Sequence, residues 1–398
     1  MLRWMTSGES HGPALVGIID GLPAGLKVNI AYINHLLAKR QEGIGRSARQ
    51  KIEQDKINVL SGIRQGITIG SPIGLIIENR DYQNWRNVMS PEPVDEAHES
   101  PKPAYPRPGH ADLAGILKWG LDDSRNVLER ASGRTTAMTV ALGAICRCYL
   151  VTSGIFIGSR LLSFGDQVLS TGESSPPTRK NIGDDPESWL KDFGKISVDA
   201  ARALEIQVAY AKDEGDTLGG SFQVVAAQMP PGLGSCALPD ERVDARLAAA
   251  VMSIPGIKAV EIGAGIRQAS MTGHAAHDQF AAAAETDKPD QTWFSRVTNL
   301  AGGIEGGISN GEPVCVTTWM KPLATVNPPS KSLDPVTRKS VKPESSERSD
   351  IAAVESAACV AEAAVALELA RAHREKFGGD TMAEVREAVR IYDRSLGR

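Results

Sequence analysis

The stretch Ile351–Lys376, IAAVESAACVAEAAVALELARAHREK, is the longest helical pattern in the chain. Alanine, its commonest residue, has the highest helix propensity, and the Gly378-Gly379 pair beyond it is typical of a helix end. Its most apolar part carries Glu355, Glu362 and Glu368, which are costly to place inside a bilayer. The stretch therefore predicts one long helix that does not span a membrane.

The rest of the chain mixes further helices with short strands. Apolar spacing predicts helices at Ile30–Lys39, Ala111–Trp119, Arg134–Cys148 and Val243–Met252. Short β-branched runs predict strands at Leu15–Ile19, Ile57–Leu60, Ile73–Ile77, Ile155–Leu161, Phe222–Ala226 and Val314–Thr318. Because the two kinds alternate irregularly and hairpin spacing is common, we expect an α+β fold with antiparallel sheets, not a doubly wound parallel sheet.

Composition and charge exclude several classes of protein. The chain has 398 residues, of which 41% are apolar and 23% charged, as is usual for globular proteins. A net charge of −4 gives no general attraction to nucleic acid or to an anionic membrane. The first residues contain no apolar signal region, so we expect a soluble cytoplasmic protein with no nucleic-acid or membrane partner.

The five cysteines form no CxxC pair and have no histidine at zinc-ligand spacing, so we expect no metal site.

Two segments lack any apolar period. Ser170–Pro186 is rich in Ser, Pro and Asp, and we expect a flexible surface segment. Asn327–Ser346 has motifs on both sides, so we expect a mobile loop near the active site. Since neither has the character of a domain linker, residues 1–398 are predicted to form a single domain.

The common nucleotide-binding motifs are absent or misplaced. Gly43-Ile-Gly45-Arg-Ser-Ala48 has the letters of GxGxxA, but it follows a predicted helix instead of a strand. GxxxxGK[ST], HExxH and GxSxG do not occur.

Two histidines and a group of arginines are the strongest indications of chemistry. His11 and His110 each adjoin a glycine in loop-like sequence, where a histidine is ordinarily just solvated. Arginines gather in the same regions, although scattered surface arginines are the usual case: Arg40, Arg46, Arg49, Arg107, Arg130 and Arg134. Guanidinium groups in loops can bind carboxylate or phosphate in a fork. These residues predict a small polyanionic substrate with two histidines for proton transfer, and by themselves they do not indicate a flavin.

A series of motifs then matches a known family in order. They are Gly8-Glu-Ser-His-Gly12, Gly45-Arg46, Leu60-Ser-Gly-Ile-Arg64, Arg107-Pro-Gly-His-Ala-Asp112, Arg130-Ala-Ser132, Asp213-Glu-Gly-Asp-Thr-Leu-Gly-Gly220, Gly302-Gly-Ile-Glu-Gly-Gly307, Lys321-Pro-Leu-Ala-Thr325, Arg348-Ser-Asp350 and Lys376-Phe-Gly-Gly-Asp380. Over nearly its whole length the chain resembles the chorismate synthase family.

The resemblance implies a reaction. The family converts 5-enolpyruvylshikimate 3-phosphate to chorismate, the last common step of aromatic amino-acid biosynthesis in the shikimate pathway. Phosphate and the C6 hydrogen leave in an anti-1,4 elimination with no net redox change. The family nevertheless requires reduced FMN, which transiently donates an electron and recovers it. The resemblance also implies a helical core sandwiched between two antiparallel four-stranded sheets, and a homotetramer.

The resemblance also assigns residues. His11 is expected to protonate or hydrogen-bond the departing phosphate, His110 to hold the charge of the reduced flavin, and Asp350 to relieve flavin N5 of its proton. The substrate is expected to meet Arg40, Arg46, Arg49, Arg107 and Arg134. Some family descriptions assign Arg40 and Arg46 to NADP instead. The expected flavin contacts are Arg130, Ala131, Ser132, Pro255, Gly256, Gly306, Lys321, Pro322, Leu323, Ala324, Thr325 and Arg348.

The chain departs from the family pattern at Pro13 (usually Arg), Thr135 (usually Glu), Ser349 (often His) and Glu355-Ser356 (usually Pro-Arg or Pro-Ala). Pro13 and Glu355 lie where they could alter substrate affinity.

Other interpretations are open. The chain could be a flavin enzyme with net redox chemistry, such as a flavin reductase, or a non-enzymatic anion-binding or RNA-associated module, which the acidic composition disfavours. Asp350 or Ser349 could simply cap the long helix.

The sequence contains no correctly placed nucleotide-binding motif, and no insertion for a second nucleotide site is evident. We therefore predict that the chain has no flavin reductase activity of its own. NADPH then serves only indirectly, through an external reducing system. An aerobic assay with FMN and NADPH alone checks this, and substantial product formation in it would contradict the prediction.

Overall fold

The computed structural model describes residues 1–46, 54–94, 105–169, 176–282, 293–343 and 350–397. The helices are α1 (Ile30–Gln41), α2 (Tyr82–Trp85), α3 (Asp112–Trp119), α4 (Arg125–Leu128), α5 (Thr136–Val151), α6 (Arg179–Ile182), α7 (Pro186–Phe193), α8 (Val198–Asp213), α9 (Val243–Met252), α10 (Gly265–Gln268), α11 (Gly273–Ala276), α12 (Val354–Phe377) and α13 (Met382–Ser395). Short 3-10 turns at Gly133–Thr135 and Pro239–Glu241 precede α5 and α9.

The strands are β1 (Arg3–Ser7), β2 (Ala14–Asp20), β3 (Ile57–Val59), β4 (Ile63–Arg64), β5 (Ile67–Thr68), β6 (Ile73–Glu78), β7 (Phe156–Phe164), β8 (Gln167–Val168), β9 (Gly220–Ala227), β10 (Ile257–Ile262), β11 (Phe280–Ala282), β12 (Phe294–Arg296), β13 (Ile304–Glu305), β14 (Ile308–Ser309), β15 (Val314–Met320), β16 (Ser332–Leu333) and β17 (Ser340–Val341).

Helices α5 and α12 form the centre of the molecule. Most of the α12 side chains are buried, so this helix lies inside the core and has no wide solvent-facing side. Small residues bring the two helices close together: a Cβ added at Gly143 would lie only 2.5 Å from the Cβ of Ala363. Further along both helices, the Tyr149 hydroxyl and His373 Nδ1 are 2.7 Å apart. The helices therefore run side by side in the same direction, with their N-terminal ends at one end of the core.

An antiparallel sheet with strand order β1-β2-β6-β3 covers one side of these helices. Leu15 pairs with Ile77 across β2 and β6, and both side chains are fully buried. Met138 of α5 packs directly over Gly17 of β2.

A second antiparallel sheet, with strand order β10-β15-β9-β7-β8, packs against α12 through β7 and β9. It has five strands, whereas the family resemblance implied four. The additional member is β8, a two-residue strand that pairs with the end of β7. The α+β class and the layer of helices between two antiparallel sheets are confirmed.

Every helix and strand predicted from the sequence is present, with ends shifted by a few residues. Among the elements that sequence reasoning did not predict are the edge strand β1 and the amphipathic helices α8 and α13. In the described part of the chain, no helix is both long and apolar enough to cross a membrane.

The segments predicted to be flexible contain regular structure where they are described. Residues 176–186 include helix α6, and residues 327–343 include the hairpin β16–β17. Their mobility stays a prediction, and residues 170–175 and 344–346 lie outside the described part.

We expect Gly143→Ala to lower the free energy of unfolding by about 1–3 kcal/mol, because an extra methyl would overpack the contact with Ala363. Alanine has the better helix propensity, by about 1 kcal/mol, so a loss of stability would show that overpacking outweighs the gain in helix propensity.

Urea unfolding measures the effect. Gly273→Ala in α11 is the control, because a Cβ there meets no atom within 4 Å. Unchanged or increased stability of Gly143→Ala would show that the two helices can move apart at no cost.

Candidate active site

His11 lies in the turn between β1 and β2, and only 6% of its surface is exposed. The turn requires glycine at its first position. Gly8 has φ +109°, and a Cβ there would come within 2.4 Å of the Ala14 carbonyl oxygen. The local sequence thus forces the turn that buries this histidine beside the core.

Glu129, at the end of α4, binds His11 at two places. The backbone N–H of His11 donates to Glu129 Oε2 at 2.8 Å, and Nδ1 lies 2.9 Å from Oε1. Trp85 stacks on the imidazole with ring centroids 4.0 Å apart. Arg125 lies over the Trp85 ring and donates to Glu129 at 3.2 Å. The four side chains form a closed ring of contacts.

The ionisation state of Glu129 determines whether Nδ1 of His11 carries a hydrogen. Burial raises the pKa of Glu129, but the hydrogen bonds from His11 and the charge of Arg125 outweigh it, so the net pKa is lowered. An ionised carboxylate can only accept hydrogen bonds. Nδ1 of His11 must therefore carry a hydrogen and donate it.

Two of the predicted substrate arginines share one buried carboxylate. Arg40 donates to Asp55 Oδ2 at 2.9 Å, and Arg134 forms a short ion pair with Asp55 Oδ1. All three side chains are at most 7% exposed. Two guanidinium groups thus share the oxygens of one buried carboxylate.

Asn79 connects this cluster to the His11 turn. Its Oδ1 accepts from Arg134 Nη2 at 2.7 Å, while its Nδ2 donates to the carbonyl of Gly12 at 2.6 Å. On the other side of the turn, Ser132 Oγ donates to Ser10 Oγ at 3.2 Å. His11 and the arginine cluster are thus parts of one hydrogen-bonded assembly.

Arg46 and Asp350 form a salt bridge of 2.6 Å, with side chains 10% and 14% exposed. Helix α12 begins only at Val354, with Ala353 as its N-cap and no side-chain cap bond. The interpretation of Asp350 as the helix cap is therefore wrong. Glu355, in the first turn, accepts instead from the backbone N–H of Ile44 at 2.6 Å and fastens the Arg46 loop to α12.

His110 belongs to a compact group with Arg107 and Asp112. Its Nδ1 lies 2.5 Å from Asp112 Oδ1, and Arg107 Nε donates to Asp112 Oδ2 at 2.8 Å. Burial raises the pKa of Asp112, but the hydrogen bonds from His110 and Arg107 outweigh this effect. The net pKa therefore lies well below its usual range. Asp112 is therefore ionised and orients both partners.

Lys321 joins this group to the predicted flavin residues. Its Nζ forms a short hydrogen bond with the Gly109 carbonyl, and its backbone N–H donates to the Gly256 carbonyl at 3.0 Å. The Thr217–Leu218 segment connects the residues after Lys321 to the segment before α12. Thr217 Oγ1 donates to the Leu323 carbonyl at 2.7 Å, and Leu218 N–H donates to the Ile351 carbonyl at 2.8 Å.

A cavity of about 930 Å³ lies between β1, α9 and α12. Arg130, Ala131 and Pro255, all predicted flavin contacts, line its wall together with Arg246. Gly306 forms the turn of the hairpin β13–β14, which packs on the start of α9. Arg49 and Arg348 lie outside the described residues.

Sequence reasoning missed the carboxylates and amides that hold these groups. Asp112 stands inside a quoted motif, and Glu129 directly precedes Arg130, so the position beside a motif was the available signal for both. Asp55, Asn79 and Trp85 offered no such signal, because their partners are distant in the chain.

Comparisons with known proteins agree with this architecture. Residues 2–373 match the family model of chorismate synthase. The chain belongs to the chorismate synthase family. A Desulforudis audaxviator (strain MP104C) protein named chorismate synthase is 45% identical over 98% of this chain and 97% of its own length. The corresponding protein of Sulfurihydrogenibium sp. (strain YO3AOP1) is 44% identical over 98% of both chains.

A crystal structure of chorismate synthase is similar in three dimensions, with a TM-score of 0.75 and 35% identity over 100% of this chain and 98% of that one. Chorismate synthases are lyases, and membership of the family makes this chain an enzyme of that class.

We expect Asp55→Ala to destabilise the protein by about 3–5 kcal/mol, because it removes the carboxylate that two buried guanidinium groups share. Asp20→Ala is the matched control. It breaks the Arg3–Asp20 pair, whose side chains are 74% and 34% exposed, and such pairs contribute less than about 1 kcal/mol. Denaturant unfolding distinguishes the two, and equal losses would show that Asp55 is not structurally critical.

Proposed function

We propose that this chain converts 5-enolpyruvylshikimate 3-phosphate to chorismate by anti-1,4 elimination of phosphate and the C6 hydrogen. The observation that carries the proposal is the single assembly that links buried His11 to the Arg40–Asp55–Arg134 cluster through Asn79. A proton donor in the same assembly as two fixed guanidinium groups suits a phosphate leaving group.

The substrate carries two carboxylates and a phosphate, which suits several guanidinium groups held in place beforehand. Arg40, Arg46, Arg107 and Arg134 are each oriented by a carboxylate, so little rearrangement is required when an anion binds. Arg49 completes the proposed set. Arg40 is only 4% exposed, which favours a substrate engulfed by the site over an NADP molecule held at the surface.

His11 would donate its proton to the phosphate oxygen as the C3–O bond breaks. His110, oriented by Asp112, would hold positive charge beside the cofactor. Asp350, oriented by Arg46, would take up a proton at its carboxylate. These three residues are the proposed catalytic groups.

The residues present fit reduced FMN. The cavity beside Arg130, Ala131 and Pro255 falls within the range of about 300–1,000 Å³ that is usual for small-molecule sites. We propose that Arg130–Ser132, Pro255–Gly256, Gly306, Lys321–Thr325 and Arg348 hold the cofactor. When bound, reduced FMN supplies an electron transiently and recovers it, so the reaction has no net redox change. NADPH acts only indirectly, in reducing the flavin, and we further propose a cytoplasmic homotetramer.

Anaerobic turnover tests this function. The purified chain is incubated with the substrate and dithionite-reduced FMN, and chorismate and phosphate are measured. We expect equal amounts of both products without stoichiometric consumption of reduced flavin. A flavin reductase would consume it, and absence of chorismate would overturn the proposal.

We expect Asp350→Asn to lower turnover at least about 10²-fold while FMN affinity is kept, because asparagine can accept a hydrogen bond from Arg46 but cannot take up a proton at neutral pH. Asp192→Asn, in the exposed pair with Lys195, is the control and should leave turnover unchanged. Normal turnover of Asp350→Asn would show that Asp350 is only a structural partner of Arg46.

A further inference from the structure

We propose that Glu129 is a positioning residue that sets the proton-donating state of His11 for the elimination, an inference that rests on the proposed function. Glu129 does not itself touch the substrate in this scheme. It fixes which nitrogen of His11 faces the leaving phosphate.

Three donors converge on the Glu129 carboxylate. They are the backbone N–H of His11 at 2.8 Å, its Nδ1 at 2.9 Å and Arg125 Nη1 at 3.2 Å. The Glu129 side chain is 2% exposed, so water cannot readily replace any of these contacts. Binding both the ring and the backbone of one histidine removes rotation about its side-chain bonds.

The remaining nitrogen is available for a ligand. Within the described residues, His11 Nε2 has no hydrogen-bond partner, whereas Nδ1 is committed to Glu129. The Trp85 ring, 4.0 Å away, covers one face of the imidazole. Arg125 holds both Trp85 and Glu129, so the ring plane and the carboxylate are fixed together.

The proton balance follows from this arrangement. In the imidazolium form both ring nitrogens carry hydrogen. Nε2 gives its proton to the phosphate oxygen as the C–O bond breaks and its electron pair goes to the phosphate. Nδ1 keeps its hydrogen on Glu129. The histidine is thus left in the correct tautomer to be protonated again at Nε2 for the next turnover.

Glu129→Gln tests the role with little change in shape. An amide has one acceptor oxygen, but the carboxylate accepts at both oxygens. Glutamine must therefore present its NH₂ group either to the His11 backbone N–H or to Nδ1–H. Presented to the ring, it favours the opposite tautomer. A comparable loss of the carboxylate partner in the Ser-His-Asp triad lowers turnover about 10⁴-fold.

We expect Glu129→Gln to lower kcat about 10²–10⁴-fold, with little change in FMN affinity or substrate KM. The alkaline limb of the kcat–pH profile should move to lower pH, because loss of a neighbouring carboxylate disfavours the protonated donor. Glu129→Asp, which keeps the charge, should restore the position of this limb and part of the turnover. It also serves as the test if the glutamine variant does not fold.

A double-variant cycle separates positioning from general support of the fold. If Glu129 acts only through His11, His11→Ala combined with Glu129→Gln should be no slower than His11→Ala alone. Glu362→Gln is the matched control. Glu362 is a buried carboxylate paired with Arg147 in the core, and its loss should cost stability without moving the pH limb.

The outcomes distinguish the two proposals. Wild-type chain that makes no chorismate contradicts the proposed function. Active wild type with normal turnover and an unmoved pH limb in Glu129→Gln contradicts only the role of Glu129. Multiplicative losses in the double variant would also overturn it, because they would mean that Glu129 acts independently of His11.

Discussion

The close contact between α5 and α12 determines where the reactive groups lie. Gly143 allows the backbone of one helix to approach Ala363 of the other, so the helices run side by side with their N-terminal ends together. The segment that leads into α5 carries Arg134, and the segment that leads into α12 carries Asp350. A larger residue at this crossing would push apart the two chain segments that build the site. Packing in the core therefore controls the distance between charged groups outside it.

The site places charges in pairs that are themselves buried. Taking arginines out of water is costly unless each has a partner, and here Asp55, Asp112 and Asp350 supply the partners. Asp55 serves two arginines, which it holds side by side in the core. In the proposed function these guanidinium groups bind the anionic groups of the substrate, and their carboxylate partners orient them beforehand. On the proposed function, the carboxylates that stabilise the buried arginines also orient them for the substrate.

Much of the fold could be predicted from the sequence, because helix and strand periods are local. The long helix at Ile351–Lys376 and the antiparallel sheets follow directly from spacing and β-branched runs. The partners of the reactive residues could not be predicted in this way. Glu129 lies 118 residues from His11, and no local pattern reports a contact over that distance. For Asp350, local sequence left open a helix cap beside the expected catalytic role, and the structure rules out the cap because the carboxylate binds Arg46 across the fold.

The departure at Glu355 shows how one position can meet a local and a distant requirement. The resemblance noted from the sequence leads us to expect proline there, and proline is tolerated in the first turn of a helix because its missing N–H has no helical partner. Glutamate suits the same turn for another reason, since its charge interacts favourably with the N-terminal end of the helix dipole. Its carboxylate also accepts from Ile44, whose loop leads into Arg46. Burial raises the pKa of Glu355 above its usual value, and the Ile44 hydrogen bond and the Arg46 charge offset only part of that rise. Glu355 therefore ties the loop that carries Arg46 to the first turn of α12.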